Sequence, residues 1–132
     1  MVLAHDASVN DEAVRSLYDS IIPPEIEGEV KTLDQTLEFF RNEISGKKTM
    51  VITESSRDAL YLLKSGLEVE AVVVGGLHFR AGAIELLSYV FIDRQRKEEL
   101  LEIVRTNVKI FCQDLPGSPV LTLNEKNLNL EF

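Results

Sequence analysis

Short apolar runs alternate along this chain with segments whose apolar residues recur every three or four positions, and that alternation predicts parallel βαβ units. Val2-Leu3-Ala4-His5 reads as the end of a strand. Ser8-Val9-Asn10-Asp11 has the spacing of a capping box, in which a hydroxyl and a carboxylate satisfy free backbone N–H groups. Ala13, Val14, Leu17, Tyr18 and Ile21 then share one helical face. Pro23-Pro24 stops that helix, because proline supplies no N–H and restricts the residue before it. A strand over 29–32 follows, and Thr32-Leu33-Asp34-Gln35 is a second box-like start with Leu37, Phe40 and Ile44 as the buried stripe. Gly46, with Lys47 and Lys48, closes this helix in the expected order.

Thr49 to Thr53 reads as a buried strand, and Ser55-Ser56-Arg57-Asp58 opens a third helix with Ala59, Leu62 and Leu63 inward and Gly66 as its stop. Val69 to Val74 is the most apolar strand, which predicts a central position with both faces covered. The rhythm then changes. Only the segment Gly75 to Ser88 separates it from Tyr89-Val90-Phe91-Ile92, so a short crossover or a reversal of direction is expected. Asp93 caps a last helix with Leu100, Leu101, Ile103 and Val104 inward, and Val108 to Cys112 is the final regular strand. The Leu-x-Leu alternation within Val120 to Phe132 suggests extended pairing. The pattern predicts one domain over 1–132, with a core over 1–115 and a tail over 116–132, built as a three-layer α/β/α fold on an open, mostly parallel sheet.

Composition narrows the function classes. The 132 residues carry 22 acids against 14 bases, a net charge of −8, so a phosphate backbone is repelled and nucleic-acid binding is disfavoured. The groups Lys47-Lys48 and Arg94, Arg96, Lys97 read as solvated faces. No apolar run approaches the roughly 20 residues of a membrane helix, and one cysteine, Cys112, fits a reducing compartment and a structural role. A cytoplasmic protein is expected.

Ligands of open parallel sheets bind outside the carboxyl ends of the strands. Those ends are His5-Asp6, Thr53-Glu54-Ser55-Ser56, Gly75-Gly76-Leu77-His78 and Asp93, and the first three converge if their strands are parallel. Gly75-Gly76 lets backbone N–H groups approach an anion or a partner, or else serves a tight turn at positive φ. It matches neither a dinucleotide fingerprint nor a Walker loop. His78 is a candidate ligand for phosphate or metal, with a packed, hydrogen-bonded histidine as the plain alternative. His5 beside Asp6 suggests a base with an orienting carboxylate, although neighbours on a strand face opposite ways. His5, Asp6, Glu54 and His78 have no diagnostic metal-ligand spacing. Ser55 and Ser56 read as helix caps.

The order of these segments resembles the IIB component of the mannose/fructose/sorbose branch of the phosphoenolpyruvate:sugar phosphotransferase system. Val2-Leu3-Ala4-His5-Asp6 is similar to that family's strand and Asp turn, and the segment from Asp11 to Pro23-Pro24 to its A-x-D…A-P-P stretch. Thr53 to Asp58 resembles its T-N-P-x-D turn, with Glu54 and Ser55 departing from the pattern. Val74-Gly75-Gly76-Leu77-His78-Phe79-Arg80-x-Gly82 resembles its V-G-G-M-x-F-x-x-G signature, the most specific piece. The resemblance covers roughly 2–115.

The resemblance implies a cytoplasmic phosphotransfer subunit, peripheral at the inner membrane face. It takes a phosphoryl group from a histidine of a IIA domain and passes it to a sugar held by membrane IIC and IID components. It implies no cofactor and leaves a homo-oligomer open. The family's acceptor histidine lies in a D-x-R-L-I-H-G-Q-V motif that neither His5 nor His78 matches, so the family's first strand and its phosphohistidine are expected to be missing. The tail strand or a second subunit is then expected to cover the vacant position in the sheet. Asp6, Glu54, Ser55, Gly75, Gly76 and His78 are the residues expected around the phosphoryl site or the IIA contact, in positioning roles. Two rivals are a non-catalytic binding module of the same shape, and an unrelated hydrolase using His5 or His78 as base.

Overall fold

The structure, a computed structural model, describes residues 1–42 and 48–132. Ile44, Gly46 and Lys47, part of the expected end of the second helix, lie outside the described residues. Helices and strands interleave along the chain, and the pairing is mostly parallel. The described residues form two compact units, Met1–Leu67 and Glu68–Phe132.

The first unit is a parallel three-stranded sheet in the order β2-β1-β3, with β1 Val2–Ala4, β2 Glu29–Lys31 and β3 Val51–Thr53. Two helices pack its core: Ala4, Leu33, Leu37 and Leu62 are buried together, with Val51 and Leu67 against them. Those helices are α2 Leu33–Asn42 and α3 Ser56–Lys64. The predicted box at α2 forms in full: the Gln35 N–H donates to Thr32 Oγ1, and the Thr32 N–H donates to Gln35 Oε1. Ser55 caps α3 by accepting from the Asp58 N–H at 3.1 Å. Gly66 ends it at φ +104°, where the 67→62 backbone bond closes the helix in the left-handed geometry that glycine adopts without strain.

Two expectations for α1, Glu12–Ile21, are corrected. Its cap is Asp11, whose carboxylate accepts from the Ala13 and Val14 N–H groups. Ser8 instead lies in a 3-10 turn over Asp6–Ser8 with its hydroxyl on His5. A carboxylate immediately before the helix outcompetes a hydroxyl that already has a partner. Within the apolar face, only Tyr18 is buried; Leu17 and Ile21 stay 63% and 67% exposed. Periodicity says which residues share a face, not how much of that face is covered.

The second unit holds β4 Ala71–Val74, β7 Lys109–Cys112 and β8 Leu121–Thr122 in the order β4-β7-β8. β4 and β7 are parallel; β8 returns antiparallel. Within this unit's sheet β4 is therefore an outer strand, and Val73 is 54% exposed. The expectation of a central strand fails because a valine run also reflects the preference of branched side chains for extended backbone. The tail is not free to fill another position in a sheet, since β8 pairs with β7 and Leu123 and Leu128 are buried. After β4 the chain forms an antiparallel hairpin of β5 Ile84–Leu87 and β6 Val90–Ile92. Leu77 is bridged parallel to Val90, so the expected choice between a crossover and a reversal resolves into a hairpin whose second strand runs parallel to the segment after β4. α4, Arg94–Arg105, is capped by Asp93, and it buries Leu100 and Ile103.

Candidate functional site

In the first unit, the ends of β1 and β3 bring His5, Asp6, Ser8, Glu54 and Asp58 together. The His5 imidazole is held on both nitrogens: Nδ1 is 2.6 Å from Ser8 Oγ, and Nε2 is 2.5 Å from Glu54 Oε2. The carboxylate that orients His5 is thus Glu54 and not Asp6, as the opposite-face rule requires. Asp6 serves α2, where its Oδ1 accepts the Leu33 N–H at 2.9 Å, one of the unsatisfied donors of that helix start. Asp58 has its pKa raised by burial; His5 pulls it down, Asp6 pushes it up, and Arg57 and Glu54 act in opposite senses behind them. Ser55 is occupied as the cap of α3.

In the second unit, Gly75 and Gly76 bridge fixed points. Before them, Val74 O accepts from Gln113 N at 3.1 Å. After them, Leu77 is buried and donates to Tyr89 O while accepting from Phe91 N, both at 2.9 Å. His78 O accepts from the Arg96 guanidinium, which also donates to Phe91 O at 2.9 Å. Between these anchors both glycines are exposed, and among the described residues neither backbone N–H has an acceptor.

The turn explanation for this pair does not hold, because the positive-φ glycines are Gly66, Gly82 and Gly117. Crowding does not explain it either. A Cβ on Gly75 would meet nothing within 4 Å, and one on Gly76 would meet only Tyr89 O at 3.5 Å, an ordinary contact.

His78 is exposed rather than packed, and Phe79, 66% exposed, rests edge-on against Phe91 with ring centres 5.7 Å apart. Arg96 corrects the expectation of a solvated basic face, since it is 6% exposed. Its spacing with Leu100 and Ile103 places it on the buried stripe of α4, a signal that the basic neighbours Arg94 and Lys97 obscured. Asp93 ties the same corner by accepting from the Arg96 N–H and facing the Arg80 guanidinium. Burial alone would raise the Asp93 pKa, but these partners outweigh it and hold the carboxyl below its ordinary value.

Cys112 is buried in β7, which pushes its thiol up to about 11. Among the described residues no three His, Cys, Asp or Glu side chains are grouped to hold a metal ion, and no helix is long and apolar enough to cross a membrane.

A family model described as "PTS system sorbose subfamily IIB component" matches residues 1–128. The N-acetylgalactosamine-specific phosphotransferase enzyme IIB component 1 of Escherichia coli strain K12 is 27% identical over 120 residues, covering 89% of this chain and 75% of the relative. The sorbose-specific EIIB component of Klebsiella pneumoniae is 21% identical over 127 residues, covering 96% and 77%. The crystal structure of the N-acetylgalactosamine-specific IIB component 1 from Escherichia coli shares the fold at a TM-score of 0.85 and 24% identity, over 93% of this chain and 81% of that one.

Proposed function

Because the chain belongs to the sorbose-subfamily IIB components of the phosphotransferase system, a family of sugar-transport transferases, we propose that it is a sugar-phosphotransfer subunit whose Gly75-Gly76 bridge meets the phosphoryl group or the IIA domain that carries it. The observation that carries this reading is the pair itself. Neither backbone strain nor crowding within the chain calls for glycine there, so the requirement lies in what approaches from outside. Two adjacent free N–H groups on an anchored backbone suit the equatorial oxygens of a phosphoryl group, which catalysis of this kind has to position.

In this reading Asp6, Glu54 and Ser55 shape the first unit's loops, and Gly75, Gly76 and His78 those of the second. The donor is a IIA phosphohistidine, the recipients are a sugar and the membrane IIC and IID components, and the work is done in the cytoplasm at the membrane face. The family match spans both units, which supports treating 1–132 as one IIB domain. In this reading these loops position the phosphoryl group, and none of their residues is proposed as its carrier.

A second reading is a binding module of the same family shape, which has the docking surface without the transfer. Incubation with a IIA domain and its phosphoenolpyruvate-driven donors, for this chain and for one carrying the in-frame upstream codons, separates the two. An acid-labile phosphoryl group on either form supports the transferase. IIA binding with label on neither supports the module.

A further inference from the structure

The first unit's sheet has an open edge at β2, which among the described residues pairs with β1 alone. The residues flanking Val30 spend their main-chain groups on β1. The Glu29 N–H donates to Met1 O, and Lys31 O accepts from the His5 N–H, both at 3.0 Å. Main-chain groups alternate sides along a strand, so the Val30 N–H and C=O point away from β1. Neither group has a partner among the described residues. The neighbouring helix does not fold over this edge, because α2 leaves an open groove beside it lined by Val30, Lys31, Gln35, Glu38, Phe39 and Asn42.

An open edge accepts any extended chain unless its side chains discriminate. Glu29 and Lys31 stand on either side of Val30 and share one face of the strand. Within one copy the two charges already touch at 2.7 Å, and the Lys31 ammonium lies over the Phe39 ring, 5.1 Å from its centre. A lone lysine turned in over the sheet deters an arriving strand. A glutamate two positions before it changes that, because the edge now offers one charge of each sign about a central residue with free main-chain groups.

From this geometry we infer that β2 is a self-recognition edge, to which a second copy of this chain adds its own β2 antiparallel about a two-fold axis through Val30. In that register Val30 and the partner's Val30 exchange both main-chain bonds, as a hydrogen-bonded pair of an antiparallel ladder does. Glu29 then faces the partner's Lys31, and Lys31 faces the partner's Glu29. Both are non-hydrogen-bonded pairs, where side chains approach most closely and opposite charges stabilise the ladder. Parallel pairing in the same register would set like charges against each other, so the edge is complementary to itself only under the two-fold operation. The two sheets join as β3-β1-β2-β2-β1-β3, with the α2 helices of both copies on the same face. This inference stands apart from the phosphotransfer reading and takes nothing from it.

The test is sedimentation velocity of the whole chain from about 1 μM to about 1 mM, a range that covers weak, small interfaces. It is run at physiological salt, where repulsion between two copies of net charge −8 is screened over about 8 Å. A concentration-dependent dimer is expected, and the Val30 amide should become protected from hydrogen exchange as it forms. Lys31→Glu and Glu29→Lys each place like charges opposite one another, and each should weaken the dimer about tenfold or more. Mixing the two variants should restore association as a mixed dimer, and so should the double exchange of Glu29→Lys with Lys31→Glu in one chain. A misfolded variant could not be rescued in this way, so the result does not depend on stability. A monomer throughout the range, a dimer that neither variant weakens, weakening that mixing does not rescue, or a Val30 amide left unprotected in the dimer would each overturn the inference.

Discussion

Replacing Gly75 by alanine separates a residue kept for the fold from one kept for a partner. The new Cβ sits about 1.5 Å from Cα, in open space with nothing within 4 Å, and the backbone there lies outside the left-handed region. The folded state therefore loses nothing, while the unfolded chain loses freedom, so stability should rise by roughly 0.4–1 kcal/mol. With a urea slope of about 1–3 kcal/mol/M for a small domain, the unfolding midpoint should move up by a few tenths of a molar. The partner sees the opposite. A methyl group keeps other atoms about 3.5–4 Å away, further than the roughly 2.9 Å of an N–H···O bond to an approaching oxygen. Losing one such bond to a charged acceptor costs about 1.5–3 kcal/mol, or roughly 10- to 150-fold in affinity or transfer rate. Urea unfolding and IIA binding measured on the same preparation check both halves. A variant that binds and transfers like the parent would contradict a partner at Gly75, and one that unfolds much earlier would contradict the open space around it.

Arg96→Met removes the donor to two main-chain carbonyls from a buried position and should lower stability by about 2–4 kcal/mol; an unchanged urea midpoint would show that water replaces the guanidinium. Leu128→Ala should cost about 2–5 kcal/mol, because that side chain is fully buried although it lies in the tail, and a loss under 1 kcal/mol would mean that the tail is not part of the folded unit. The Asp93 carboxyl is held below its ordinary value, so its contribution is present above the carboxylate range and is lost as pH falls through the lowered folded-state value. Asp93→Asn, which keeps a capping oxygen, should flatten the acid limb of the stability profile below about pH 4, and superimposable profiles would contradict this. Cys112, with its thiol pushed up to about 11, should react with a disulfide reagent at pH 8 only as fast as the chain unfolds; rapid labelling without denaturant would contradict its burial.

Much of the fold was legible in local signals, because those signals act within a few residues. The Thr32/Gln35 box, the Ser55 and Asp93 caps and the Gly66 stop form where their spacing places them. What depends on distant packing was not legible. Leu17 and Ile21 carry a correct helical period yet stay exposed on a face where only Tyr18 is buried, and Val73 reads as central in a strand that lies at the side of its unit's sheet. The candidate site divides in the same way. The Val74-Gly75-Gly76-Leu77-His78 segment is marked by its residues alone. The partnership of His5 with Glu54 joins the ends of two strands that are far apart in sequence, and the link from Arg96 to the His78 carbonyl runs inward from a basic stretch that reads as surface.

In the proposed function the Gly75-Gly76 bridge faces the phosphodonor. Titrating a IIA domain into the ¹⁵N-labelled chain, while following every backbone amide, tests it most directly. The Gly75 and Gly76 resonances should shift most, with His78 beside them, and Gly75→Ala should raise the IIA concentration needed to shift Gly76. Saturating binding that leaves both glycine amides unmoved would contradict it.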